Sequence, residues 1–161
     1  RLTDVTGVQT CALPISHDSK GCTSAADSYS PSEKEVLNGR KVLDILEKIE
    51  GIGYTVLRDD LFLVEEPELG LEITIDAEEN VICLFAPVCD VKHLERHVPG
   101  WQEKLLRLNN GLLHGAFTLH EDKVFMRENL AAENLDPNEL EDALCAMFAG
   151  ILRHSRALKL N

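Results

Sequence analysis

Residues Leu105–Leu119 read LLRLNNGLLHGAFTL, and the hydrophobic period changes within the stretch. Trp101, Leu105, Leu108 and Leu112 fall at i, i+4, i+7 and i+11, which is one stripe of a helix. Leu106 and Leu113 widen that apolar surface. From Phe117 the period drops to two, with Phe117 and Leu119 alternating with Thr118 and His120. Glu121-Asp122 then turns the chain and Lys123–Arg127 returns, which predicts a hairpin directly after a helix.

Working upstream, the helical region begins near Val91 and carries a break signal at Pro99-Gly100. Before it lie strand-like stretches. Tyr54–Leu57 is short and apolar, Arg58-Asp59-Asp60 turns, and Leu61–Val64 follows until Glu65-Glu66-Pro67 stops it. Leu71, Ile73 and Ile75 alternate with Glu72, Thr74 and Asp76, a half-buried strand. Val81–Ala86 is apolar on both faces and reads as a central strand. The first helix starts at Ser30-Pro31-Ser32-Glu33, with Ser30 as cap, Pro31 in the first turn and Glu33 closing a capping box. Gly51 and Gly53 end it. The last helix opens at Asp136-Pro137-Asn138-Glu139 and buries Leu140, Leu144, Met147, Phe148 and Ile151. Arg153, His154, Arg156 and Lys159 crowd its end, where cations suit the helix dipole. Strands in runs, rather than alternating with helices, predict an α+β fold with an antiparallel sheet flanked by helices. The order is α-β-β-β-α-β-β-α, with four strand-like stretches in the first run.

The N-terminal part belongs to none of this. Val5–Ser16, VTGVQTCALPIS, resembles one translated reading frame of a common short-read sequencing adapter. Residues 1–16 are therefore set aside as an artefact, Cys11 with them. Residues 17–29 are small and polar and read as a disordered tail. Residues 30–161 form one domain, long enough to bury a core without staples.

Composition narrows the function. The 161 residues hold 16 Lys and Arg against 28 Asp and Glu, a net charge of −12. That charge repels a phosphate backbone, so no nucleic-acid partner is expected. No apolar run reaches the ~20 residues of a membrane span, so no membrane role is expected either. Cys83 and Cys145 sit in apolar runs and read as small core residues. The cysteine pattern suits a reducing cytoplasm better than a disulfide framework.

Cys89, His93 and His97, spaced by four, form the sharpest chemical candidate. Such spacing can bind zinc on a helix, but a fourth ligand is missing and HLERH misplaces the Glu of a zincin. No metal ligand is therefore assigned. A thiol nucleophile would pair Cys89 or Cys83 with His93 or His114, without an orienting third group or an oxyanion loop. Gly51-Ile52-Gly53 follows a helix and is too short to cradle phosphate. The pairs Asp59-Asp60, Glu65-Glu66 and Glu78-Glu79 fall at strand ends, as solvated turns do. No catalytic residue and no cofactor are assigned.

The Leu105–Leu119 stretch, the hairpin, and ENLAAENLDPNELEDAL at Glu128–Leu144 together resemble the type III secretion chaperone family, the Tir-chaperone or CesT-like group. The carriers are Leu108-Asn109, Gly115-Ala116-Phe117-Thr118-Leu119, then Leu130, Leu135 and Leu140. The resemblance spans about Val36 to Leu158. The YbjN-like group, regulatory or adaptor proteins on the same fold, shares much of this pattern. The chaperone resemblance implies a small, acidic, cytoplasmic homodimer that is not an enzyme. It implies a protein partner, an effector whose extended N-terminal segment is held ready for secretion. Carried over to this chain, it points to Trp101, Leu105, Leu108 and Leu112 at the dimer interface. It also points to Leu61, Leu63, Ile73 and Ile75 as a partner-binding patch.

Overall fold

The structure is a computed structural model, and it describes residues 30–160. The adapter-like segment and the tail at 17–29 lie outside the described residues. The elements are α1 (Glu33–Leu46), β1 (Gly53–Arg58), β2 (Leu61–Glu66), β3 (Leu71–Ala77), β4 (Val81–Asp90), α2 (Val91–His97), α3 (Trp101–Asn109), β5 (Ala116–His120), β6 (Lys123–Ala131) and α4 (Pro137–Leu158). The first run therefore holds four strands, and the middle helical region is two helices.

All strand pairings are antiparallel, in the order β1-β2-β3-β4-β6-β5. The first four strands meander. The β5–β6 hairpin then enters with its second strand against β4, so β5 becomes an edge. This is the expected α+β architecture.

The pleat sorts the side chains. Phe62 pairs with Ile75 and Val64 with Ile73, and Ile75 in turn faces Leu84. Ala86 sits across from Met126, and Met126 from Phe117. Directly paired residues share a face, so these form one apolar surface. Val42, Ile45 and Leu46 of α1, Leu94 of α2, Trp101 and Leu105 of α3, and the inner stripe of α4 all join it in one core cluster. The four helices thus cover a single face of the sheet. β4 is apolar on both sides, as expected of a central strand, with Cys83 and Phe85 pointing away from the helices.

Local chemistry explains the boundaries. α1 is capped by Ser32, not Ser30: the Ser32 hydroxyl accepts from Glu35 N, and Glu35 reaches back to the Ser32 amide at 2.6 Å. Both serines stand three residues before a Glu, and Pro31 precedes the pair that forms. The helix stops at Leu46, ahead of Gly51. Buried Asn38 donates to the Glu78 and Glu79 carbonyls at 2.8 and 3.2 Å, tying α1 to the β3–β4 turn. Between α2 and α3, Pro99 holds Val98 out of the helical region, at φ −129°. Gly100 takes φ +67°, a conformation an L side chain resists, and α3 starts afresh. At α4 the Asp136 carboxylate accepts from Asn138 N at 2.8 Å and Pro137 opens the first turn. Cys145 is exposed and not a core residue, because the buried stripe of α4 runs through Leu140, Ala143, Leu144, Met147 and Phe148 and leaves it facing outward. No helix among the described residues is long and apolar enough to cross a membrane.

Candidate partner-binding surface

The two edges of the sheet differ in how their backbone groups are used. An edge strand turns the N–H and C=O of every second residue away from its partner. On β5 these groups are partly occupied. Phe117 N donates to Asn109 Oδ1 at 2.7 Å, and Asn109 Nδ2 donates to Phe117 O at 3.2 Å. Asn109 is the last residue of α3, so the helix end clamps the strand that follows it.

At the opposite edge, β1 carries apolar side chains into solvent. Tyr54 and Val56 stand opposite Val64 and Phe62, on the helix-covered side, but beyond the reach of the helices. Val56 is 49 % exposed and Leu57 54 %. A bulge between Val56 and Arg58 ends the regular pairing. Thr55 lies opposite Leu63 and looks toward the other face.

That other face begins with Leu61 and Leu63, both half-buried. Pairing places Leu63 opposite Thr74, Thr74 opposite Phe85, and Phe85 opposite Arg127. Leu61 neighbours Asp76, which neighbours Cys83. Ile73 and Ile75 are not beside Leu61 and Leu63. They lie on the opposite face, fully covered by helices. The one-residue offset of a strand decides this, and period two alone does not say which half faces the core.

The polar groups of this face are mutually engaged. Arg58 forms an ion pair with fully buried Asp60. Asp76, 5 % exposed, is pushed up to about 6, chiefly by burial, with the Asp60 carboxylate adding to the rise and Arg58 opposing it. Arg127 donates to Cys83 Sγ at 3.4 Å and to Asn129 Oδ1 at 3.3 Å. The Cys83 thiol lies 3.6 Å from Glu78 and is pushed up to about 11, first by burial and then by Glu78. Cys89 is also pushed up to about 11, by burial and Asp90. Both thiols are protonated near neutral pH and are weak nucleophiles.

The histidines have other tasks. His93 Nε2 sits 2.8 Å from Lys159 O and 3.3 Å from Leu158 O, joining α2 to the end of α4. His97 packs against the His93 ring, with centroids 4.9 Å apart. His114 lies 3.6 Å from the Glu128 carboxylate. Among the described residues no group of three or more His, Cys, Asp or Glu is placed to hold a metal ion.

Trp101 and Leu105 are buried in the chain's own core, while Leu108 and Leu112 are half-buried against it. The outward apolar residues of this region are Leu106 and Leu113, the latter 93 % exposed. Sequence reasoning did not find the Asn109 clamp or the exposed β1 side chains. For β1 a signal was present, a short strand at Tyr54–Leu57 with apolar residues on both faces. For the clamp there was only an Asn at the end of the predicted helix.

No curated protein matches the chain. The family model described as CesT_Tir_1 matches residues 40–160, from the middle of α1 to the end of α4. With the meander, the clamped hairpin and the long terminal helix inside that match, the chain belongs to the CesT/Tir chaperone family.

Proposed function

We propose that this protein is a non-enzymatic cytoplasmic chaperone that holds an extended segment of a type III secretion effector. Family membership supports the chaperone reading. The observation that carries the binding mode is β1, an edge strand whose Tyr54, Val56 and Leu57 are exposed. A partner segment adds to such an edge through backbone hydrogen bonds, and its alternate side chains find apolar contacts. Tyr54 and Val56 serve one side of the added strand. Leu61 and Leu63 extend the contact on the other face. Ile73 and Ile75 act beneath, as the core that keeps β2 and β3 flat against the helices. The charge of −12 keeps a protein with such an edge soluble and favours basic or neutral segments.

The protein acts as a homodimer in this reading, with one interface near α3. Half-buried Leu108 and Leu112 contribute their outer surfaces, and Leu106 and Leu113 supply the exposed ones. Trp101 and Leu105 support the helix from within.

The test is co-expression with a secreted protein encoded beside its gene. A stable complex is expected, and Val56→Glu with Leu63→Glu is expected to abolish it without unfolding the chain. A complex that survives both changes would overturn the binding mode. The lack of any complex with such a protein would overturn the effector reading.

A further inference from the structure

Both ends of a six-stranded open sheet are templates for strand addition, yet a holder of one segment gains from having a single open edge. We propose that Asn109 makes strand addition one-sided, closing the β5 edge by holding both backbone groups of Phe117 and leaving β1 as the docking edge. The inference rests on the partner-holding reading for its consequence, but the closure itself is a property of this chain.

Three observations converge. First, the carbonyl oxygen and the NH2 group of the Asn109 amide both meet the same residue, at 2.7 and 3.2 Å. This is the pattern a neighbouring strand would make with an outward-facing residue. An amide side chain therefore stands in for the missing strand. Second, β5 has only five residues, so one occupied position removes much of its outward template. Third, Tyr54, Val56 and Leu57 of β1 expose their apolar side chains, whereas the side chain of Phe117 is buried. Asn109 is a positioning residue in this role. It decides where a segment docks without touching it.

The experiment uses the full chain, Asn109→Ala and Asn109→Asp, followed by amide hydrogen exchange resolved by residue. In the parent, the Phe117 amide is expected to be protected and the outward amides of β1 to exchange quickly. Asn109→Ala is expected to speed Phe117 exchange by about tenfold or more while amides of β4 hold their rates. Asn109→Asp keeps the acceptor and is expected to retain most of the protection. Phe117 exchange that rises only in step with β4 would make Asn109 a plain structural residue and overturn the proposal.

A short synthetic peptide of alternating valine and lysine then serves as the strand probe, with the same composition in blocks as control. Chemical-shift changes are expected at β1 alone in the parent, and at β1 and β5 in Asn109→Ala. Changes at β5 in the parent, or none added at β5 in Asn109→Ala, would overturn the proposal. A probe that never reaches β1 counts against the partner-holding reading, and the Phe117 exchange still decides the role of Asn109.

Discussion

A Cβ placed on Gly39 would lie 2.0 Å from the carbonyl oxygen of Asp59. The first helix therefore rests directly on the backbone of the β1–β2 turn, and only a glycine permits that approach. Since the obstacle is main chain, it cannot rotate aside. Gly39→Ala is expected to cost about 2–3 kcal/mol, read from urea unfolding. Gly150 offers the contrast. A Cβ there meets the ends of Leu112 and Met126 side chains at 3.1 Å, which can give way. Gly150→Ala, which also gains about 1 kcal/mol of helix propensity, is expected to be near neutral. Equal losses at both sites would contradict the close docking of α1.

Asp76 makes stability depend on pH. Its carboxyl is raised from 3.8 to about 6 by burial and by Asp60, so the native state binds its proton more tightly than the unfolded chain does. The penalty is absent below about pH 4 and grows as pH rises through 6, so this group lowers stability over that window. Asp76→Asn is expected to stabilise the protein by about 2–3 kcal/mol at pH 7.5 and to change little at pH 4. Urea midpoints across this range would check it. A variant no more stable than the parent at pH 7.5 would show that Asp76 is already compensated.

The helix starts are testable by capping. Ser32→Ala removes the hydroxyl that accepts from Glu35 N, and a loss of about 1 kcal/mol is expected. Ser30→Ala is expected to have little effect, which separates the two candidate caps. Thermal unfolding of the pair would decide.

In the proposed dimer, the α3 region holds both residues that fold the chain and residues that face the second copy. Leu105→Glu is expected to unfold the protomer, because Leu105 is buried inside it. Leu106→Glu and Leu113→Glu are expected to leave the fold intact and split the dimer. Light scattering of the parent at tens of micromolar, the range where a specific interface holds, is expected to give twice the 17.9 kDa chain mass. A parent with the mass of one chain would remove the dimer from the account.

Much of the fold was legible because its signals are local. The period-two run at Leu71–Ile75, the apolar Val81–Ala86 and the cap at Asp136 each specify their element within a few residues. The misreadings came where a pattern admitted two registers. Ser30 and Ser32 both precede a Glu by three, and Cys145 sits one position off the buried stripe of α4. The surface was less legible, since exposure is set by which neighbour is absent. Ile73 and Leu63 look alike in sequence, and their strand pairing sends one under the helices and the other to the open face. The Asn109 clamp depends on a helix end meeting an edge strand, which no spacing rule encodes.

The most direct test of the account is hydrogen exchange on the complex with a secreted protein encoded beside the gene. If an extended segment adds to the free edge, the amides of β1 between Tyr54 and Leu57 will become protected on binding while Phe117 stays as it was. A complex that forms and leaves β1 exchanging as fast as in the free protein would contradict the central claim.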